Sequence, residues 1–294
     1  MNIEDAIAAA PYGESERLSP RIRRILAKNP SAFTYLGTGT YLVGTDQVAV
    51  IDPGPDDDAH LRSILEAVGE GEVSHILITH THKDHSPLAV RLSERTGAAV
   101  WGCAPLAIED DGPRSDAAFD TSYAPDHVME DGERVAGEGW TIEAVHTPGH
   151  TSNHLCFALS EEQALFSGDH IMGWSTTVVS PPDGDMTAYL DSLRKLQGRE
   201  ETVYYPTHGE AVRDPKKLVR GYLVHRKQRE NQILTLLEDG EKTIEEFVKT
   251  MYAMVNKALH PAAGRSVLAH LIDLERRGLV CRQDGDAGER WSKA

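Results

Sequence analysis

Thr79-His80-Thr81-His82-Lys83-Asp84-His85 is the stretch from which the rest of the chain is read. It follows His75-Ile76-Leu77-Ile78, an apolar run that predicts a strand. On an extended backbone alternate side chains share a face, so His80 and His82 point to the same side and can hold one cation. Asp84 and His85 fall at the chain reversal into the next helix, where Ser86 and Pro87 are residue types favoured at a helix start. These two ligands face elsewhere and suit a second metal. Four potential ligands so close together are a poor way to fill a core or to solubilise a surface. Neutral imidazole and carboxylate suit zinc, and a cluster without cysteine points to an open catalytic site rather than a closed structural one.

Upstream, short β-rich runs (Phe33-Thr34-Tyr35-Leu36, Thr40-Tyr41-Leu42-Val43, Val48-Ala49-Val50-Ile51) alternate with Gly, Asp and Pro turns. Leu61, Ile64, Leu65 and Val68 recur at helical spacing before His75, and Leu88 and Leu92 do so after His85. Further strands are predicted at 98–101, 140–145, 154–159 and 203–205, with a helix near 187–196, which together make an α/β domain over 1–214. Three more polar motifs adjoin these strands: His146-Thr147-Pro148-Gly149-His150, Ser167-Gly168-Asp169-His170 and Tyr205-Pro206-Thr207-His208-Gly209. Each carries a glycine that lets the backbone turn sharply and present a side chain at a sheet edge. Any one of them alone reads as a surface or capping residue; following the histidine cluster in this order, they read as additional ligands.

After Pro215 the pattern turns helical, at 218–237, 244–254 and 262–277, the last with Val267, Leu268, Leu271, Ile272 and Leu274 on one face. Strand-like pieces at 279–283 and 290–292 then flank Asp284-Gly285-Asp286-Ala287-Gly288, a predicted hairpin turn. Three helices and a hairpin make residues 215–294 a winged-helix-like domain, whose usual business is nucleic acid. A packing or homodimer surface is the alternative use of such a module.

The chain has 294 residues, 40% hydrophobic and 26% charged, as expected of a globular protein of about two domains. No run reaches the ~18 apolar residues of a membrane span, and Ala6-Ile7-Ala8-Ala9-Ala10 follows Glu4 and Asp5 rather than a basic segment. No membrane association is expected. Three scattered cysteines (Cys103, Cys156, Cys281) form neither a disulfide framework nor a metal knuckle, and a cytoplasmic location is expected. The net charge of −16 is uneven: residues 1–214 hold 15 basic and 35 acidic residues, while 215–294 hold 15 basic and 11 acidic.

Taken together, these motifs resemble the metallo-β-lactamase superfamily. Within it the chain looks most like the β-lactamase-like protein 2 endoribonuclease group, through Asn29-Pro30-Ser31, Gly37-Thr38-Gly39-Thr40-Tyr41-Leu42-Val43-Gly44, Thr176-Thr177-Val178-Val179, Pro181-Pro182-Asp183-Gly184-Asp185-Met186 and the tail with His225-Arg226. The resemblance covers nearly the whole chain. It implies an αββα sandwich with two zinc ions per chain at one edge: His80, His82 and His150 on one, Asp84, His85 and His208 on the other, and Asp169 bridging. Asp52, in an Asp-Pro-Gly turn, would support these ligands without binding a metal.

Two divalent ions held ~3.5–4 Å apart bring the pKa of a shared water to about 7, so hydroxide is available at neutral pH to attack an ester, thioester, lactam or phosphodiester. Asp84 and Asp169 are the carboxylates expected to matter most to this catalysis. His154 and His170 are candidates for protonating a leaving group or for orienting ligands, and Thr176 and Thr177 for lining the pocket. The resemblance implies a zinc-dependent phosphodiesterase or endoribonuclease acting on single-stranded RNA, with thioester or β-lactam hydrolysis as the alternative. The basic run Arg213, Lys216, Lys217, Arg220, Arg226, Lys227 and Arg229 is either an RNA contact or a solvated helix face. The −20 of the metal-site domain repels long polyanions and favours a small, weakly charged substrate.

Overall fold

The chain's apolar runs pair into two mixed sheets in the computed structural model, which describes residues 3–106, 119–285 and 288–294. The first sheet keeps chain order: β1 (Ser15–Arg17), β2 (Ile22–Leu26), β3 (Gly39–Val43), β4 (Gln47–Ile51), β5 (Glu72–Ile78), β6 (Ala99–Gly102) and β7 (His127–Val128). Neighbours from β1 to β4 are antiparallel, and those from β4 to β7 are parallel. Parallel neighbours need long crossovers. After the N-terminal α1 (Ile3–Ala9), α2 (Asp58–Val68) and α3 (Leu88–Thr96) supply the first two of them. Asp57 caps α2 by accepting from the His60 N–H, and Gly97 closes α3 in the left-handed conformation at φ 78°.

The second sheet runs β12-β11-β10-β9-β8, built from β8 (Arg134–Gly137), β9 (Trp140–His146), β10 (Leu155–Leu159), β11 (Ala164–Gly168) and β12 (Val203–Pro206). Only the β11–β12 pair is parallel. Strands β3, β10 and β11 are buried along their whole length, as both faces of a strand are when it is covered on two sides. Leu42, Val50 and Leu77 of the first sheet share one core with Ile142, Phe157 and Phe166 of the second, so the two sheets stack face to face. The Tyr41 hydroxyl donates to the Pro206 carbonyl (2.6 Å) and the Gly39 N–H to that of Thr207 (2.8 Å), which ties the end of β12 to β3.

Contacts group the described residues up to 147 with 153–177 and 200–215 in one unit, and 148–152, 178–199 and 216–294 in another. The second unit holds α4 (Met186–Gln197), most of α5 (Pro215–Leu236), α6 (Ile244–Met251), α7 (His260–Arg276) and the antiparallel pair β13 (Val280–Gly285) and β14 (Gly288–Lys293). Its core is Ile233, Phe247, Val267, Leu271, Leu274, Val280 and Trp291. Thr243 and Glu246 form a capping box that starts α6, and the Thr187 hydroxyl of α4 donates to Asp273 of α7 at 2.7 Å. The three helices and hairpin expected of the tail are present; of the predicted turn, Asp286 and Ala287 lie outside the described residues. Among the described residues no helix is long and apolar enough to cross a membrane.

Several local expectations need correction. Residues 33–36 form a turn instead of a strand, because the Ser31 hydroxyl accepts from the Phe33 and Thr34 N–H groups (3.1 Å each) and Tyr35 takes φ 56°. The helix predicted to reach Met254 stops at Met251, with Tyr252 as its cap. Arg226 is buried, with its guanidinium 5.1 Å from the Tyr189 ring centroid, so the basic run is not one solvated face. Strands β1, β2, β7, β8 and β11 were not anticipated.

Candidate metal centre

The candidate ligands sit just beyond strand ends: His80 after β5, Asp169 after β11 and His208 after β12. Strand β5 ends at Ile78, so His80 and His82 lie on irregular backbone, yet their rings still meet, with His80 Nε2 2.9 Å from His82 Nδ1. Below them lies Asp52, 1% exposed and at φ 48°, the left-handed region that few non-glycine residues occupy. Its carboxylate accepts from the Thr79 N–H (2.8 Å), the Thr79 hydroxyl (2.7 Å) and His85 Nδ1 (2.8 Å).

These bonds assign the ring protons. With its proton given to Asp52, the Thr79 hydroxyl accepts from His80 Nδ1 (3.0 Å). His208 Nδ1 donates to the Gly37 carbonyl (3.0 Å), and His150 Nδ1 to that of Val178 (2.7 Å). His85 Nε2 is thereby turned toward Asp84 (3.4 Å) and Asp169 (3.6 Å), and His208 Nε2 toward Asp84 (3.1 Å) and Asp169 (3.4 Å). Fixing one ring nitrogen so that the other is free to ligate is the usual support of a metal-binding histidine.

Two groups of ligand atoms result, each with all its atoms within 4.8 Å of one another: His80, His82, His150 and Asp169 in one, Asp84, His85 and His208 in the other. Asp169 belongs to the first and faces both histidines of the second. Imidazole nitrogens and carboxylate oxygens converging in buried positions fit divalent cations such as zinc. The charges here depend on one another. Burial works against ionising Asp84 and Asp169, but His85 and His208 outweigh it and hold both carboxyls well below the usual carboxylate range. Burial likewise opposes protonation of His85 and His208, and the facing carboxylates reverse it, raising His85 well above its ordinary value and His208 to about 10. A cation entering the site competes with those protons.

The remaining predicted residues surround these groups. His154, fully buried, accepts from the Asp169 N–H at Nε2 (3.1 Å), which leaves its proton on Nδ1 facing the Thr147 hydroxyl (2.9 Å). Its place is under the backbone of Asp169, which makes it an orienting group. Gly168, at φ 51°, admits this contact, because a Cβ there would lie 2.5 Å from His154 Nε2. The Thr177 hydroxyl lies 2.8 Å from the Asp169 carbonyl and 2.9 Å from that of His170. His170 is buried with its ring 5.8 Å from that of His154, and Thr176 is half-buried beside Thr177. Sequence reasoning did not single out Thr38, whose hydroxyl donates to Asp84 (3.3 Å), nor the Gly37 carbonyl; their only signal was the Gly37-Thr38-Gly39 string.

Comparison with known proteins adds names to this geometry. A family model described as the metallo-beta-lactamase superfamily matches residues 35–208, and one described as a beta-lactamase associated winged helix domain matches 243–291. An atrochrysone carboxyl ACP thioesterase of Cryptosporiopsis is 32% identical over 82% of this chain and 75% of its own length. Another of that name, from Aspergillus chevalieri, is 33% identical over 85% and 81%. A lactamase-like protein of Aspergillus niger is 31% identical over 85% and 78%. Among solved structures, a beta-lactamase domain protein from Burkholderia ambifaria superposes with a TM-score of 0.82 at 21% identity, covering 97% of this chain and 94% of that one. A metallo-beta-lactamase family protein from Thermus thermophilus does so at 0.75 and 22%, covering 95% and 100%. The curated relatives named here are thioesterases and a lactamase-like protein, in place of the endoribonuclease group expected from the sequence.

Proposed function

From the premise that the chain belongs to the metallo-beta-lactamase superfamily and is one of its hydrolases, we propose that it hydrolyses acyl thioesters. The observation that carries this reading is the match, at 32% and 33% identity over more than four-fifths of the chain, to relatives named as ACP thioesterases. The alternative expected at the outset, thioester hydrolysis, thus displaces single-stranded RNA as the main reading. The −20 of residues 1–214 supports the change, since a polyanionic substrate would meet repulsion there and a neutral acyl thioester would not.

His80, His82, His150 and Asp169 would hold one zinc ion and Asp84, His85 and His208 a second, with Asp169 shared. Bound there, the ions supply a nucleophile at neutral pH and polarise a carbonyl oxygen. The chain's own part is to keep the ligands aimed: Asp52 holds His85, Thr79 holds His80, the Gly37 carbonyl holds His208 and His154 holds the Asp169 backbone. Burial of these groups excludes bulk water, so the ligands cannot be satisfied by solvent. Three free cysteines, two of them buried, are in keeping with the reducing cytoplasm.

The test compares zinc-loaded protein and its Asp169→Ala variant on an acyl thioester of N-acetylcysteamine, single-stranded RNA and a cephalosporin. Metal content is measured on the same samples. Thioester turnover well above the other two, lost by about a thousandfold or more in the variant, is the expected result. RNA cleavage that exceeds thioester cleavage and disappears in Asp169→Ala would overturn the proposal and restore the RNA reading. One iron and no zinc per chain after cytoplasmic expression would remove the zinc assignment.

A further inference from the structure

Aromatic rings flank the two ligand groups. Phe119 stacks on His82, with centroids 4.7 Å apart and planes 27° from parallel. On the side of His208, Tyr35 and Trp174 stack on each other at 5.0 Å and 14°. The second pair stands on the two loops that grip His208. The Gly37 carbonyl accepts from His208 Nδ1, and the Gly173 N–H donates to the His208 carbonyl at 2.9 Å. The same loops reach the carboxylates, through Thr38 to Asp84 (3.3 Å) and through Thr177 to the backbone of Asp169 (2.8 Å). Gly209 lets the two backbones approach, since a Cβ there would lie 2.8 Å from the Gly173 carbonyl carbon and 3.0 Å from the Trp174 backbone nitrogen. The loops that carry the stacked pair are therefore tied to His208, Asp84 and the Asp169 backbone.

Two features set the pair apart from an ordinary core contact. Trp174 is 39% exposed, forfeiting much of the burial that such a large ring ordinarily secures in a core. Tyr35 holds a left-handed φ of 56°, a strained conformation for a bulky side chain that glycine would adopt freely. Strain of this kind collects where a side chain is kept for function.

We infer that the Tyr35–Trp174 stack is a binding subsite for the acyl group of the substrate, selecting a flat, unsaturated or aromatic acyl chain by stacking on the exposed indole face. The assignment rests on the thioester reading and narrows it. Nucleobases are also flat, but they arrive on a polyanion, which the −20 of residues 1–214 disfavours.

Zinc-loaded wild type, Trp174→Ala, Trp174→Phe and Tyr35→Gly are compared on benzoyl and acetyl thioesters of N-acetylcysteamine, which share a leaving group. Binding of S-phenacyl-N-acetylcysteamine, which cannot be hydrolysed, is measured by calorimetry alongside. The benzoyl-to-acetyl ratio of kcat/KM should fall about tenfold in Trp174→Ala and in Tyr35→Gly and recover in Trp174→Phe, with phenacyl binding weakened in parallel. If wild type turns over both thioesters while neither the ratio nor phenacyl binding responds to the variants, the subsite is wrong and the thioester reading stands. If phenacyl binding depends on Trp174 but no thioester is hydrolysed, the subsite stands and the thioester reading fails. Loss of single-stranded RNA binding in Trp174→Ala, with phenacyl binding unchanged, would overturn the assignment in favour of nucleobase stacking.

Discussion

His85 and His270 are both sealed from solvent, and their surroundings drive their protons in opposite directions. Around His85, burial opposes the charged form but Asp84, Asp169 and Asp52 outweigh it and raise the ring well above its ordinary value. Around His270, on α7, burial is the largest influence, and Arg226, His225, Arg229 and Arg277 reinforce it, lowering the ring to about 3. Nε2 of His270 makes no hydrogen bond among the described residues. One buried imidazole sits among carboxylates that a divalent ion can take over, and the other sits among guanidiniums that repel any cation. Burial alone therefore says nothing about whether a histidine is a ligand; the sign of the neighbouring charge decides it.

Weakening the carboxylate side of this contrast should have the largest effect. Asp52→Asn leaves an acceptor for Thr79 but removes the charge opposite His85 Nδ1, and metal affinity should fall by about 10- to 100-fold. Titration of metal-free protein followed by elemental analysis reads this directly. Unchanged affinity would mean that His85 is aimed by packing alone. Next in size is His154→Leu, which strips the acceptor from the Asp169 N–H. An unsatisfied buried amide should cost about 1–2 kcal/mol of stability in urea unfolding, and His154→Gln, which keeps an acceptor, should recover most of it. A leucine variant as stable as wild type would show that the Asp169 backbone is held by other contacts.

The two groups of candidate ligands were legible in the sequence because their residue types are the signal: His80, His82, Asp84 and His85 read as a possible metal site whatever the surrounding fold, and each falls in one of the two convergent groups. Strands β4 and β5 were legible because Val48–Ile51 and Ile76–Ile78 are unbroken apolar runs. Strand β2 was not, because Arg23 and Arg24 interrupt its pattern while their guanidiniums reach the Gly44 and Gly209 carbonyls. Residues 33–36 look like a strand by composition, and the Ser31 hydroxyl overrides that preference with local hydrogen bonds. The stacking of Tyr35 on Trp174 left no trace, since 139 positions separate the two and neither stands in a recognisable motif. Substrate class was the hardest to read, because the same kind of ligand set serves metal-assisted hydrolysis of a phosphodiester and of a thioester.

The smallest effect tests the guanidinium side of the contrast. Below pH 6.5 the unfolded chain protonates His270, whereas the folded chain, with this ring at about 3, does not. The folded state thus binds fewer protons, and stability present above pH 6.5 drains away as the pH falls toward 3. Between pH 7 and 6 this single group should remove about 0.7 kcal/mol. His225, lowered to about 4 by burial and by Arg226 and Arg229, acts in the same direction but is only half-buried and contributes less. His270→Leu should flatten the decline measured by urea unfolding across that interval while losing no stability at pH 7, since it removes a polar atom that has no hydrogen bond. An undiminished slope in the variant would place the pH sensitivity elsewhere and break the symmetry drawn between the two histidines.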